Sequence, residues 1–356
     1  MTAVFYVSGH GFGHASREVE VINAIATLQP DARVIVRTAV AHELLRRTLR
    51  VPVDLRPGPC DTGVVQATSV AHDQDATVAR ALEFHASLDA RADAEADALR
   101  ADDVSVVVGD IPPLAFDVAA RLGVPSVAIA NFTWDWIYED YPALAGAGWF
   151  LPRLRAAYGR ATRALRPPFS AGFEVFREVH DIPLIARRPT RGRLETRGYF
   201  GIPSDRPAVL LSFGGYGMPD LDLLSVDCLG DWTIVTTDRV TPAAASVSNL
   251  VRIDEARLEP GVFRYEDLVA AVDVVLTKPG YGIIGECIAA GTAMLYTSRG
   301  RFREYALLVE AMPQYLRSRF LAPEDLFAGR WHAALDALLL SPPPPMRIAV
   351  DGADVA

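Results

Sequence analysis

Three times in this chain a short apolar run breaks into a glycine-rich turn and then into helix-forming sequence. Ser8-Gly9-His10-Gly11-Phe12-Gly13-His14 ends the run Ala3–Ser8, and Ser212-Phe213-Gly214-Gly215-Tyr216-Gly217 ends Ala208–Phe213. Lys278-Pro279-Gly280-Tyr281-Gly282-Ile283-Ile284-Gly285-Glu286 follows Val272–Thr277. A strand that ends in glycines and opens a helix offers free N–H groups and the positive end of the helix dipole, which suits phosphate. The dipole contributes about 0.3–1 kcal/mol per charge, up to ~2 when partly buried. Lys278 adds a full positive charge beside the third turn. One such turn can be a mere tight connection; three of them, one early and two late, indicate a ligand cleft between two domains.

The rest of the chain agrees with that division. Further strand candidates are Ala32–Thr38, Val104–Gly109 and Ser126–Ala130, then Trp232–Thr237, Leu250–Ile253 and Ala293–Thr297. Helix-like segments intervene at Arg17–Leu28, Ala39–Leu49, Thr77–Leu99 and Ala115–Leu122. Uniformly apolar strands joined by amphipathic helices predict parallel sheets covered on both faces, an α/β fold of two Rossmann-like domains. A basic stretch with Pro and Gly, Ile185–Arg193, separates them. The expected units are 1–187, 188–325 and a C-terminal helix and tail, 326–356, packing back towards the first domain.

Composition narrows the partners. Half of the 356 residues are apolar, which excludes a disordered chain, and the net charge of −9 disfavours non-specific contact with nucleic acid or anionic membrane. Arg299, Arg301 and Arg303 form a local basic cluster, either near an anionic ligand or at a solvated helix start. Cys60, Cys228 and Cys287 lack disulfide or zinc spacing. No basic leader precedes the first apolar run, and no run approaches the ~18 residues of a membrane span. A cytoplasmic protein without integral membrane contact is expected; a homodimer is compatible with the sequence.

Gly280-Tyr281-Gly282-Ile283-Ile284-Gly285 also fits the dinucleotide fingerprint G-x-G-x-x-G. Its place late in its domain, and the absence of an acid at the end of the following strand, make an NAD-dependent oxidoreductase the weaker reading.

These blocks resemble a family. Lys-Pro-Gly-Tyr-Gly-Ile-Ile-Gly-Glu-Cys-Ile-Ala-Ala-Gly at 278–291 resembles the donor motif of GT-B glycosyltransferases, such as the UDP-N-acetylglucosamine transferase of peptidoglycan synthesis and plant UDP-glucosyltransferases. The texts at 8–17, 131–138 and 211–217 resemble the glycosyltransferase-like N-terminal region of plant L-arabinokinases and its free-standing bacterial relatives. The similarity spans roughly residues 1–340, and with no kinase domain following, sugar-kinase activity is not implied. The resemblance implies a GT-B enzyme that moves a sugar from a nucleotide diphosphate donor, expected to be UDP-linked. Its acceptor would be a small-molecule hydroxyl, with inversion, and no metal or other cofactor is called for.

Residue by residue, the resemblance places Glu286 on the ribose hydroxyls, and Ser212, Gly214, Gly215, Lys278, Gly280 and Gly282 on the diphosphate. Phe263 and Arg264 fall in the base-reading loop, and Arg303 and Glu304 near the sugar-contacting pair. His14 takes the position of the general base and Asp110 that of its orienting acid. A histidine with a pKa near 6.5 can take a hydroxyl proton at neutral pH. The alternative is that His14 caps its helix or binds phosphate, and that Asp110 caps the helix after it. His10 is a second candidate base. His10, Gly11, Phe12, Asn131, Trp134 and Asp135 are the acceptor-side candidates, although aromatics such as those at 132–150 also serve as core. A non-catalytic sugar-nucleotide binding module is the alternative function.

Overall fold

The computed structural model describes residues 1–66, 72–214, 221, 230–237, 247–259 and 261–356, with the backbone alone at Phe12. Its first half contains strands β1 (Thr2–Val7), β2 (Arg33–Thr38), β3 (Asp54–Pro57), β4 (Val104–Gly109), β5 (Ser126–Ile129), β6 (Arg163–Arg166) and β7 (Val179–Asp181). They form one sheet in the order β3-β2-β1-β4-β5-β6-β7, all pairs parallel. The accompanying helices are α1 (Phe12–Leu28), α2 (His42–Thr48), α3 (Gln74–Ala86), α4 (Leu88–Leu99), α5 (Leu114–Leu122), α6 (Trp134–Tyr138), α7 (Pro142–Ala145) and α8 (Phe150–Tyr158). All six residues of β1 are buried, because helices cover both faces of a sheet whose strands are apolar throughout.

The second half repeats the plan. After α9 (Arg193–Phe200) come β8 (Ala208–Ser212), β9 (Thr233–Thr236), β10 (Leu250–Arg252), α10 (Tyr265–Ala271), β11 (Val274–Thr277), α11 (Tyr281–Ala290) and β12 (Ala293–Tyr296). Then follow α12 (Arg303–Ala311), β13 (Ser318–Phe320), α13 (Pro323–Phe327), α14 (His332–Leu339) and α15 (Gly352–Val355). The second sheet, β10-β9-β8-β11-β12-β13, is also parallel. In both sheets the order reverses beside the half's first strand, between β1 and β4 and between β8 and β11. In open α/β sheets that reversal leaves a crevice at the carboxyl ends of the strands.

Two details depart from the sequence reading. The helix expected over 77–99 is two helices, α3 and α4, broken at Ser87, whose hydroxyl bonds the Phe84 carbonyl at 3.0 Å and competes with the helical ladder. Strands β3, β6, β7 and β13 have no counterpart among the expected strands. Each carries charged or histidine residues instead of an apolar run.

The halves meet closely. Gly282, were it given a Cβ, would meet the Gly13 Cα at 3.3 Å, so the amino ends of α1 and α11 touch glycine to glycine. Phe302, just before α12, is buried among the aromatic side chains of the first half. Within 326–356, Trp331, Leu335 and Leu338 join the core of the second sheet. Only later does the chain reach the interdomain linker. Leu184 N–H bonds Ala349 O at 3.0 Å, Gly352 N–H bonds Leu184 O at 3.1 Å, and α15 lies against α1.

Candidate active site

Both reversal points carry the glycine turns noted in the sequence. At the first, β1 ends in the loop that leads to His14, and β4 ends beside Asp110. His14 Nδ1 lies 3.1 Å from Asp110 Oδ1 and 2.9 Å from Oδ2, with both side chains buried. Asp110 also accepts from the Ser8 N–H at 3.3 Å and from Arg17 Nη2. Burial pushes the Asp110 carboxyl up, but His14 and Arg17 outweigh it and hold the group below the usual carboxylate range. An ionised carboxylate only accepts, so His14 turns an Nδ1 proton towards Asp110, and in the neutral ring Nε2 is the lone pair.

Arg17 extends this pair across the domain boundary. Its Nη1 donates to Asn131 Oδ1, and the amide nitrogen of Asn131 donates to Glu304 Oε1 in the second half. Arg299 Nη1 holds the other oxygen of Glu304 at 2.8 Å. Base candidate, orienting acid and proposed sugar-contacting acid are thus one buried network. Arg303 instead turns to the first half, stacking on Trp136 at 4.4 Å and pairing with Glu139 at 2.6 Å. The basic cluster at 299–303 therefore divides. Arg299 pairs within the second half, with Glu304 and the Pro279 carbonyl, Arg303 contacts the first half, and Arg301 is exposed.

At the second reversal point, Ser212 ends β8, its hydroxyl oxygen accepting from the Tyr265 O–H at 2.6 Å, and Gly214 lies just beyond. Gly215 lies outside the described residues. Lys278 and Gly280 lead from β11 into α11, in which Gly282 meets the first half as described. Burial, helped by neighbouring Arg299, lowers the Lys278 pKa to about 8. Glu286, on the second turn of α11, is buried, and its Oε1 accepts from Arg187 Nε at 2.8 Å. Its Oε2 is buried without a hydrogen-bond partner among the described residues. Burial raises the Glu286 pKa and Arg187 opposes the rise. Phe263 is buried and stacked on Tyr199, ring centroids 4.2 Å apart, while Arg264 pairs with Glu266 at 2.8 Å.

The acceptor-side candidates separate. Gly11 precedes α1 and Phe12 opens it. Trp134 is fully buried, its indole N–H donating to Asp61 at 2.7 Å. Asp135 is buried and accepts from Arg155 at 3.0 Å. Trp134 packs with Phe132, Tyr138 and Phe150 in the core of the first half. His10 stays at the cleft, its ring 6.1 Å from that of His14 and 5.9 Å from that of Phe302.

The sequence reading missed Arg17, Asp61 and Arg187. Arg17 closed a motif already singled out, and Arg187 lay in the basic linker, so both stood in view without a partner to reveal them. Asp61 had no signal at all. It lies near His14 and Ser8, and burial raises its pKa to about 6. Among the described residues no group of three or more His, Cys, Asp or Glu side chains could hold a metal ion, and no helix is long and apolar enough to cross a membrane.

Two parallel Rossmann-like halves with reversal points facing across a cleft define the GT-B fold. Solved structures bear this out: the glycosyltransferase of kitacinnamycin matches with a TM-score of 0.62 at 18% identity, covering 96% of this chain and 90% of that one. A UDP-glucose:anthocyanidin 3-O-glucosyltransferase in complex with UDP matches with a TM-score of 0.60 at 12% identity, covering 96% and 90%. In sequence the chain is similar to L-arabinokinase of Arabidopsis thaliana, 29% identical over 343 residues, 95% of this chain and 32% of that protein. It is also similar to the UDP-N-acetylglucosamine–N-acetylmuramyl-(pentapeptide) pyrophosphoryl-undecaprenol N-acetylglucosamine transferase of Clavibacter michiganensis subsp. michiganensis. That match is 28% identical over 194 residues, 51% of this chain and 47% of that one. The chain therefore spans between a third and a half of these curated relatives. No protein-family model matches it.

Proposed function

We propose that this chain is a glycosyltransferase that moves a sugar from a nucleotide diphosphate donor, UDP-linked, to a small-molecule hydroxyl with inversion and without a metal. The observation that carries the reading is the buried His14–Asp110 pair facing the glycine turns of the other half. His14 Nε2 takes the acceptor hydroxyl proton as that oxygen bonds the anomeric carbon. The bond from that carbon to the diphosphate breaks, and its electron pair leaves on the phosphate oxygen. Asp110 and Arg17 keep the imidazole in the required tautomer. Lys278, the Gly280–Gly282 backbone and the amino end of α11 receive the diphosphate, and the unpartnered Glu286 Oε2 accepts from the ribose diol. The names of the relatives support a UDP-sugar donor, since one is a UDP-N-acetylglucosamine transferase and one solved neighbour was captured with UDP.

The test is a nucleotide-sugar panel, read first by thermal shift and calorimetry and then by product formation with hydroxyl acceptors. UDP-sugar binding with turnover that Glu286→Ala and His14→Ala remove at different stages, binding and transfer respectively, is the expected result. Binding without transfer or hydrolysis against a broad panel would instead favour a sugar-nucleotide binding module.

A further inference from the structure

The geometry points to His10 as a neutral hydrogen-bond donor, not a base, aimed through Nε2–H at the leaving diphosphate; this deepens the donor reading above and rests on it. A backbone N–H can only donate, and that of Val64 donates to His10 Nδ1 at 3.3 Å. Nδ1 therefore holds a lone pair, and the ring proton of the neutral imidazole sits on Nε2. That atom is buried and has no hydrogen-bond partner among the described residues. A buried donor left unmatched is costly, so it waits for an acceptor.

The ring is wedged in place. Gly63, at φ +60°, brings its backbone so close that a Cβ there would meet His10 Nδ1 at 2.7 Å. The Trp134 ring meets it edge-on at 5.3 Å, and Phe302 closes it from the second half. The charged and titratable groups that bear on it are His14 from α1, His72 ahead of α3, and Arg299 and Lys278 from the second half. Burial first, and these cationic neighbours next, hold His10 well below the usual histidine range, so it stays uncharged. Surroundings that repel a proton attract a phosphate oxygen. A neutral N–H adds a hydrogen bond there without adding another buried charge.

His10 and His14 thus take opposite tautomers. His14, protonated on Nδ1 against Asp110, takes the acceptor proton on Nε2. His10, protonated on Nε2, donates a hydrogen bond to the departing oxygen and keeps its proton.

The experiment is two-dimensional NMR of the full chain labelled with 15N-histidine, assigned with H10Q and H14Q and titrated with UDP. The expected result is an Nε2–H tautomer for His10 with no protonation across about pH 5–9, an Nδ1–H tautomer for His14, and a shift of the His10 Nε2–H on adding UDP. An Nδ1–H tautomer or an imidazolium at His10 would overturn the assignment, as would a His10 signal unmoved by UDP whose binding calorimetry registers. No calorimetric binding of UDP would instead remove the donor reading, and the diphosphate contact with it, while the tautomers stood as measured. In turnover, H10A should lose about a hundredfold in kcat, as for a lost oxyanion donor. H10Q, which keeps an N–H near Nε2, should recover most of it, and the pH profile should keep the same acid limb in both.

Discussion

Asn131 donates its side-chain amide to Glu304 across the domain boundary while its carbonyl accepts from Arg17, so both ends of one small amide are committed. The closed arrangement of the halves and the orientation of the His14–Asp110 pair therefore share a component. Removing the amide leaves Arg17 and Glu304 each short of a partner in a buried site, worth about 1–3 kcal/mol. Asn131→Ala should lower the unfolding free energy by that order, read by denaturant titration, and enlarge the radius measured by small-angle scattering. Unchanged values of both would count against a strut.

Turnover should depend on the dyad far more than binding does. His14→Ala and Asp110→Asn are each expected to lose ~10²–10⁴-fold in kcat, with calorimetric affinity for UDP close to that of the unaltered protein. Wild-type turnover in His14→Ala would exclude the base role.

Lys278 gives nucleotide binding a pH dependence. With its pKa lowered to about 8, the ammonium is charged below that pH and lost above it. UDP affinity should therefore fall as pH rises through 8. Lys278→Met should bind more weakly at pH ~7 and show a flat profile over the same range, as isothermal titration at several pH values would reveal.

Asp61 gives stability a pH dependence of the other kind. Its pKa of about 6 in the folded chain exceeds the ordinary value, so folding favours the protonated acid. Below about pH 4 both states are neutral and nothing is lost. Between about pH 4 and 6 the unfolded chain ionises this acid while the folded chain keeps it protonated, so stability falls over that window and above 6 the cost holds at about 3 kcal/mol. Asp61→Asn should therefore melt higher than the unaltered protein at pH ~7–8, with the gap closing towards pH ~4; a gap that widens in acid would refute the assignment.

Gly352 is a steric probe of the tail. A Cβ there would sit 2.1 Å from the Pro183 carbonyl oxygen, which backbone cannot accommodate. Gly352→Ala should release α15 from α1, cost about 1–3 kcal/mol and open the tail to limited proteolysis.

Much of this architecture was legible because buried parallel strands are apolar from end to end. β1, β4, β8 and β11 announce themselves, and glycine turns mark the carboxyl ends of β1, β8 and β11. The unrecognised strands β3, β6, β7 and β13 are short and polar, and a strand near a sheet edge needs no continuous apolar run. The candidate site was legible at the level of loops, because His14, Asp110, Lys278 and Glu286 stand in recognisable texts. It was not legible at the level of partners. Arg17 on Asp110, Arg187 on Glu286 and Asn131 on Glu304 join residues 93, 99 and 173 positions apart, and only the folded packing brings them together. The aromatics around Trp134 carried two readings in the sequence, pocket and core, and most of them pack in the core of the first half.

The chain passes between the halves twice, along the linker near Ile185 and again near Asp351, and the two passes pair side by side. A single connecting strand is a tether about which two bodies can twist and slide. Two strands abreast make a door hinge, which leaves one easy rotation. Gly285 rests against Ala186 beside this line, and Arg187 holds Glu286 there, so the carboxylate proposed for the ribose lies near the axis. The clasp of Arg303 on Trp136 lies away from it, on the helix that follows Phe302. For a donor seated as proposed, the nucleoside end lies near that axis and moves least in such a rotation, and the sugar end moves most.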